Sequence, residues 1–193
     1  MAAPQLSLFD RANLPSGMRY EADIISLAGE GALVSFIRAL PLKPFEFVGG
    51  FTGNRRVISF GWRYDFNKAQ LQQTDPIPAQ LLPLREKVGA VFGLDPEGFK
   101  HALVTEYAPG AGIGWHKDRP DFADVIGVSL LAPCNFRLRR KQGDKWQRVS
   151  LNAEPRSAYL LSGEVRSRWE HSIPPMMQLR YSVTFRNLVG EPS

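Results

Sequence analysis

From His101 to the end, the chain reads as one short strand after another, and nothing else in the sequence constrains the fold as tightly. Candidate strands are His101 to Tyr107, Val125 to Leu131, Phe136 to Arg140, Trp146 to Leu151, Ala158 to Leu161 and Arg180 to Asn187. Turn signals such as Gln142-Gly143-Asp144 separate them. The last run, Arg180-Tyr181-Ser182-Val183-Thr184-Phe185-Arg186, alternates as a half-buried strand should. Tyr181, Val183 and Phe185 form its apolar face, and Arg180, Ser182, Thr184 and Arg186 the other.

The first half supplies the helices. Leu33, Phe36, Ile37 and Leu40 recur at helical spacing, which predicts a helix over Gly29 to Leu40, ended by Pro41 and Pro44. A second is predicted over Ala79 to Phe92, with Pro83 in its first turn. Phe45 to Val48 and Val57 to Phe60 read as strands. Two helices followed by many short strands predict an α+β domain built on a closed double sheet.

His116-Lys117-Asp118, with His171 further on, carries the chemistry. The chain has three histidines, and two fall in this pattern. Residues two apart in an extended segment point to the same side, so His116 and Asp118 can converge on one ion while Lys117 points away. Two histidines and a carboxylate on one face of Fe(II) leave the other positions open for a cosubstrate and oxygen. Arg180 and Arg186, on one strand face, suit a dicarboxylate, because guanidinium forks bind carboxylates bidentately. An iron site beside a dicarboxylate site points to 2-oxoglutarate.

At these residues the chain resembles the AlkB-type Fe(II)/2-oxoglutarate dioxygenases. The resemblance is carried by Thr105 to Asp118, by Trp169-Glu170-His171-Ser172-Ile173-Pro174 and by Arg180 to Arg186, and runs from about Arg55 to Leu188. It implies a double-stranded β-helix, or jelly roll, with iron in its mouth and a nucleotide-recognition lid upstream. It also implies Fe(II), 2-oxoglutarate and O2, with His116, Asp118 and His171 as metal ligands. By the same resemblance Arg180 takes the distal carboxylate and Arg186 lies near the proximal one and the metal-binding Asp118. Tyr107 matches the family's cosubstrate tyrosine, while Thr105 and Ser182 stand where relatives carry asparagine, each keeping a hydroxyl donor. The family chemistry oxidises an N-methyl group on a base and releases it as formaldehyde while 2-oxoglutarate becomes succinate.

The substrate side has two readings. Trp62, Tyr64 and Phe66 alternate along one strand face. By periodicity alone they are core; by resemblance, Tyr64-Asp65-Phe66 is a base-stacking segment, since every base offers a π-face. Arg137, Arg139, Arg140 and Lys141, with Arg119 and Arg166 to Arg168, either follow a phosphate backbone or form a solvated strand edge. Arg119 follows Asp118 where relatives acting on duplex DNA carry an acid. Expected substrates are 1-methyladenine and 3-methylcytosine in single-stranded DNA. The alternatives are transfer RNA or other RNA, a protein side chain, or a jelly-roll binding module without turnover.

The bulk numbers bound the rest. The chain has 193 residues, suited to a single domain: a lead-in over 1–15, a lid over about 45–75 and a jelly-roll core over about 100–188. A formal charge of +5 permits an anionic polymer as partner without demanding one. One cysteine, Cys134, excludes an internal disulfide and fits a reducing compartment. No apolar run reaches the roughly 18 residues of a membrane span, and no secretory signal is visible. A cytoplasmic monomer without membrane contact is expected.

Overall fold

The computed structural model describes residues 14–46, 52–65 and 68–190. Most of the expected lead-in, the end of the predicted strand at Phe45 to Val48, and Phe66 lie outside the described residues.

Helix α1 spans Leu27–Arg38. The Ser26 hydroxyl accepts from the Gly29 backbone N–H at 3.1 Å and starts it two residues earlier than the apolar period suggests. It stops short of Leu40 because the residue before a proline, here Pro41, is driven out of the α region. Helix α2 is Leu82–Phe92, preceded by a 3-10 turn at Ala79–Leu81. Pro83 sits in its first turn, where its missing N–H costs nothing.

The strands are β1 Met18–Glu21, β2 Lys43–Glu46, β3 Thr52–Phe60, β4 Trp62–Asp65 and β5 Gln70–Gln73. They continue with β6 His101–Tyr107, β7 Ile113–His116, β8 Phe122–Leu130, β9 Cys134–Gln142 and β10 Lys145–Ala153. The chain then forms β11 Ala158–Leu161, a short helix α3 at Gly163–Arg168, β12 Glu170–Ile173 and β13 Arg180–Leu188. A large sheet has the order β1-β11-β8-β13-β6-β3-β2, a small one β10-β9-β12-β7, and β4-β5 form a separate hairpin. The two main sheets make the jelly roll.

Two cores follow from strand parity. One side of the large sheet, with Ala102, Val104, Val128, Val183 and Phe185, packs on α1 and α2 through Val34, Ile37, Leu84 and Val88. The other side faces the small sheet, where Tyr107, Val125, Tyr159 and Leu161 meet Phe136, Leu138 and Ile173. Strand β13 is therefore buried on both faces, not half-buried as its alternation suggests. Its polar face looks into the jelly roll. Strand β9 lies between β10 and β12, so Arg137 and Arg139 are flanked on both sides, whereas Arg140 and Lys141 run past β12 and pair with β10 alone.

Candidate active site

The three candidate metal ligands meet through strand register. His171 on β12 is the direct antiparallel partner of His116 on β7, and opposed residues point to the same side. Their ring centroids are 4.2 Å apart. Asp118 follows just beyond the end of β7, and the ligand atoms of His116, Asp118 and His171 all lie within 4.8 Å of one another. His116 Nδ1 donates to the Gly114 carbonyl oxygen at 2.9 Å, which leaves its Nε2 free to ligate. Burial lowers both histidine pKa values, that of His171 to about 3 against the pull of Asp118. Both imidazoles are thus neutral at pH 7, the form a metal requires. Burial alone would push the Asp118 carboxyl up, but Arg186, His171 and His116 hold it well below the usual range.

Two residues that the sequence reading passed over, His101 and Arg55, organise this centre together with Arg186 and with Arg166, which was read only as part of a basic cluster. Arg186 Nη2 donates to Asp118 Oδ1 at 3.0 Å, and its Nη1 lies 3.3 Å from Nδ1 of buried His101. A guanidinium only donates, so the His101 nitrogen is the acceptor and its proton sits on Nε2. Arg166, from α3, donates to the carbonyls of Asp118, Arg119 and Phe122, pinning the loop that carries the Asp118 carboxylate. Arg55, on β3, is buried and senses Tyr107, Arg186 and Asp118.

The inner face of the large sheet forms a trough. Arg180 is register partner to Tyr107, Ser182 to Thr105 and Ser129, and Arg186 to His101 and Val125. Small side chains floor it between the arginines, and Tyr159 lies flat over Gly127, where a Cβ would come within 2.3 Å of the ring. Arg180 is fully buried; its Nε donates to Ser129 Oγ at 2.9 Å, while Nη1 and Nη2 have no hydrogen-bond partner. Burial raises the pKa of Cys134 and Tyr159 beside it, so neither supplies a counter-ion at neutral pH. A buried guanidinium fork with both outer nitrogens unpaired is the complement of a missing carboxylate.

At the entrance, Trp62 and Tyr64 are half-buried on the β4-β5 hairpin and, among the described residues, belong to neither core, contrary to the reading from periodicity. Arg119 lies over Tyr64, Cζ 3.7 Å from the ring centroid, and donates to its hydroxyl at 2.5 Å. The hairpin is thereby docked on the residue that follows Asp118. Alongside, Lys117, Arg140, Lys141 and Arg168 line an open cleft of 480 Å³. On the outer face of the small sheet Arg139 is sandwiched between Trp115 and Trp146, at 4.4 and 4.3 Å.

The profile of the 2OG-Fe(II) oxygenase superfamily matches residues 52–186, and the chain belongs to that superfamily. Within it the relatives are AlkB-type. The chain is 27% identical over 194 residues to the alkylated DNA repair protein ALKBH8 homolog of Arabidopsis thaliana, covering 88% of this chain and 54% of that protein. It is 29% identical over 174 residues to the alpha-ketoglutarate-dependent dioxygenase AlkB of Salmonella typhimurium, covering 76% and 77%. It thus spans about half the length of the Arabidopsis relative. The solved structure of OsALKBH1 shares the fold, with a TM-score of 0.70 at 17% identity over 90% of this chain and 98% of that one.

An AlkB-type oxygenase uses Fe(II), 2-oxoglutarate and O2. The donor set of His116, Asp118 and His171 fits the iron. None of the described helices is long and apolar enough to cross a membrane.

Proposed function

We propose that the chain oxidatively removes N-methyl groups from 1-methyladenine and 3-methylcytosine in single-stranded nucleic acid, DNA in preference to RNA. His116, Asp118 and His171 hold the iron. When bound, the iron couples decarboxylation of 2-oxoglutarate to succinate with insertion of one oxygen atom from O2 into a substrate C–H bond. The hydroxylated methyl group then leaves as formaldehyde.

The protein's part is positioning and electrostatics. The unpaired Arg180 fork binds the distal carboxylate, with Tyr107 alongside and the hydroxyls of Thr105 and Ser182 on the trough floor. Arg186, already bonded to Asp118, lies beside the proximal carboxylate. Residues about 45–75 serve as the lid, in which Trp62, Tyr64 and Phe66 receive an extruded base and Arg119 fixes Tyr64. Single strands are favoured because the base is cheap to extrude. The observation that carries the nucleobase reading is the docking of an aromatic hairpin, outside both cores, onto the loop of a metal ligand.

The test is turnover with Fe(II) and 2-oxoglutarate on matched single-stranded DNA and RNA oligonucleotides carrying one 3-methylcytosine. Demethylated DNA and an equivalent of formaldehyde are expected, with slower turnover of RNA. Turnover of the RNA alone would move the function to RNA. Succinate formed with neither polymer altered would overturn the nucleobase reading.

A further inference from the structure

Two consecutive arginines on β3 have opposite fates. Arg56 points to the helix side of the large sheet, where its Nε and Nη2 bind both oxygens of Glu106 at 2.7 and 2.8 Å. Arg55 points to the trough side. It is 8% exposed, its Cζ lies 4.1 Å from the Phe45 ring centroid, and Tyr107 is among its charge-sensing neighbours. Among the described residues no carboxylate lies within ion-pair distance of it. Asp118, the acid it senses, is held by Arg186, whose own charge opposes that of Arg55.

A buried cation without a counter-ion is left desolvated and uncompensated, so its persistence points to an anion that arrives later. The iron and the cosubstrate do not supply it. Fe(II) and the 2-oxoglutarate dianion cancel one another, and Asp118 offsets Arg186, so the positive charges of Arg180 and Arg55 are left over. Loading therefore leaves Arg55 unneutralised. An alkylated base makes the imbalance worse, because methylation at adenine N1 or cytosine N3 leaves the ring positively charged. The compensating charge has to come from elsewhere on the substrate.

We propose that Arg55 is a substrate subsite for an oxyanion, supplied by the phosphate that flanks the extruded nucleotide. This rests on the nucleobase reading above and adds to it the group that Arg55 reads. A carboxylate on a modified base offers the same chemistry, and the test separates the two sources.

The measurement is kcat/KM for a trinucleotide with a central 3-methylcytosine, made once with phosphodiesters and once with neutral methylphosphonate linkages. The protein with Arg55 should lose about tenfold or more on the neutral linkages, the scale of hydrogen bonds to a charged group. Arg55→Gln should be slow on both and indifferent to the linkage, and Arg55→Lys, which keeps the charge and guards against a folding defect, should regain part of the preference. Unchanged discrimination in Arg55→Gln would overturn the proposal, as would a raised 2-oxoglutarate KM with discrimination intact. Restoration of Arg55-dependent turnover by a carboxymethyl group on the base of the neutral trinucleotide would overturn the phosphate assignment. If neither trinucleotide is turned over, the nucleobase reading fails, and Arg55 is judged by binding of inorganic phosphate to the Mn(II)- and 2-oxoglutarate-loaded protein. About tenfold weaker binding in Arg55→Gln supports the subsite, and equal binding overturns it.

Discussion

Arg180→Met separates a residue kept for ligand binding from one kept for stability. The wild-type guanidinium is fully buried, bonded through Nε to Ser129 and unpaired at both outer nitrogens. Replacing such a charge by an apolar chain of similar volume removes a desolvation penalty of several kcal/mol and gives up one hydrogen bond worth about 1 kcal/mol. The cosubstrate-free variant should therefore be more stable by about 1–3 kcal/mol, and near this size each kcal/mol raises Tm by about 2–4 °C. Cosubstrate binding should move the other way. Two charge-assisted bonds of about 1.5–3 kcal/mol each are lost, so affinity should fall by at least about 100-fold. Calorimetric melting with and without 2-oxoglutarate, in the presence of Mn(II), reads both effects. A variant that melts below wild type without cosubstrate, or that binds 2-oxoglutarate within threefold of wild type, would show that the Arg180 fork is not kept for the cosubstrate.

Other consequences are more local. His101→Phe keeps the ring that packs 4.9 Å from Phe122 but removes the acceptor for Arg186, so Mn(II) affinity should fall about tenfold with the fold intact; unchanged affinity would show that Arg186 needs no anchor. Tyr64→Ala should raise the KM for a methylated oligonucleotide about tenfold, the value of one lost base stack, and an unaltered KM would return Tyr64 to a structural role. The metal-free protein should lose stability on acidification. The folded-state pKa values of His101, His116 and His171 lie below the unfolded value, so the unfolded chain takes up the protons. Stability is then full above about pH 6.5 and falls below it by up to about 1.4 kcal/mol per pH unit for each histidine. Denaturant midpoints that stay flat between pH 7 and 5 would contradict this.

Strand parity made much of the site legible. The alternation of Arg180 to Arg186 located the trough side of β13, and His116-x-Asp118 with His171 marked out three side chains that the fold brings together as a candidate metal site. That His171 pairs directly with His116 was not legible, because β7 and β12 have four residues each and register is set by partners distant in sequence. Arg55 and His101 carried a signal that went unread. Ile58 and Phe60 mark the core face of β3, which places Arg55 on the opposite face, and His101 has the parity of Thr105 and Tyr107 on β6. The β4-β5 aromatics misled periodicity, because a two-stranded hairpin outside the main sheets can alternate without burying either face in a core.

In the proposed reaction one iron, held by His116, Asp118 and His171, ties 2-oxoglutarate decay to demethylation of a base. It is tested most directly by anaerobic loading with Fe(II) and 2-oxoglutarate, then addition of air and a single-stranded oligonucleotide carrying one 3-methylcytosine, followed by mass spectrometry. Loss of one methylene mass from the oligonucleotide is expected in equal amount to succinate, with neither product in His116→Ala. Succinate without that mass change, or demethylation that survives in His116→Ala, would contradict it.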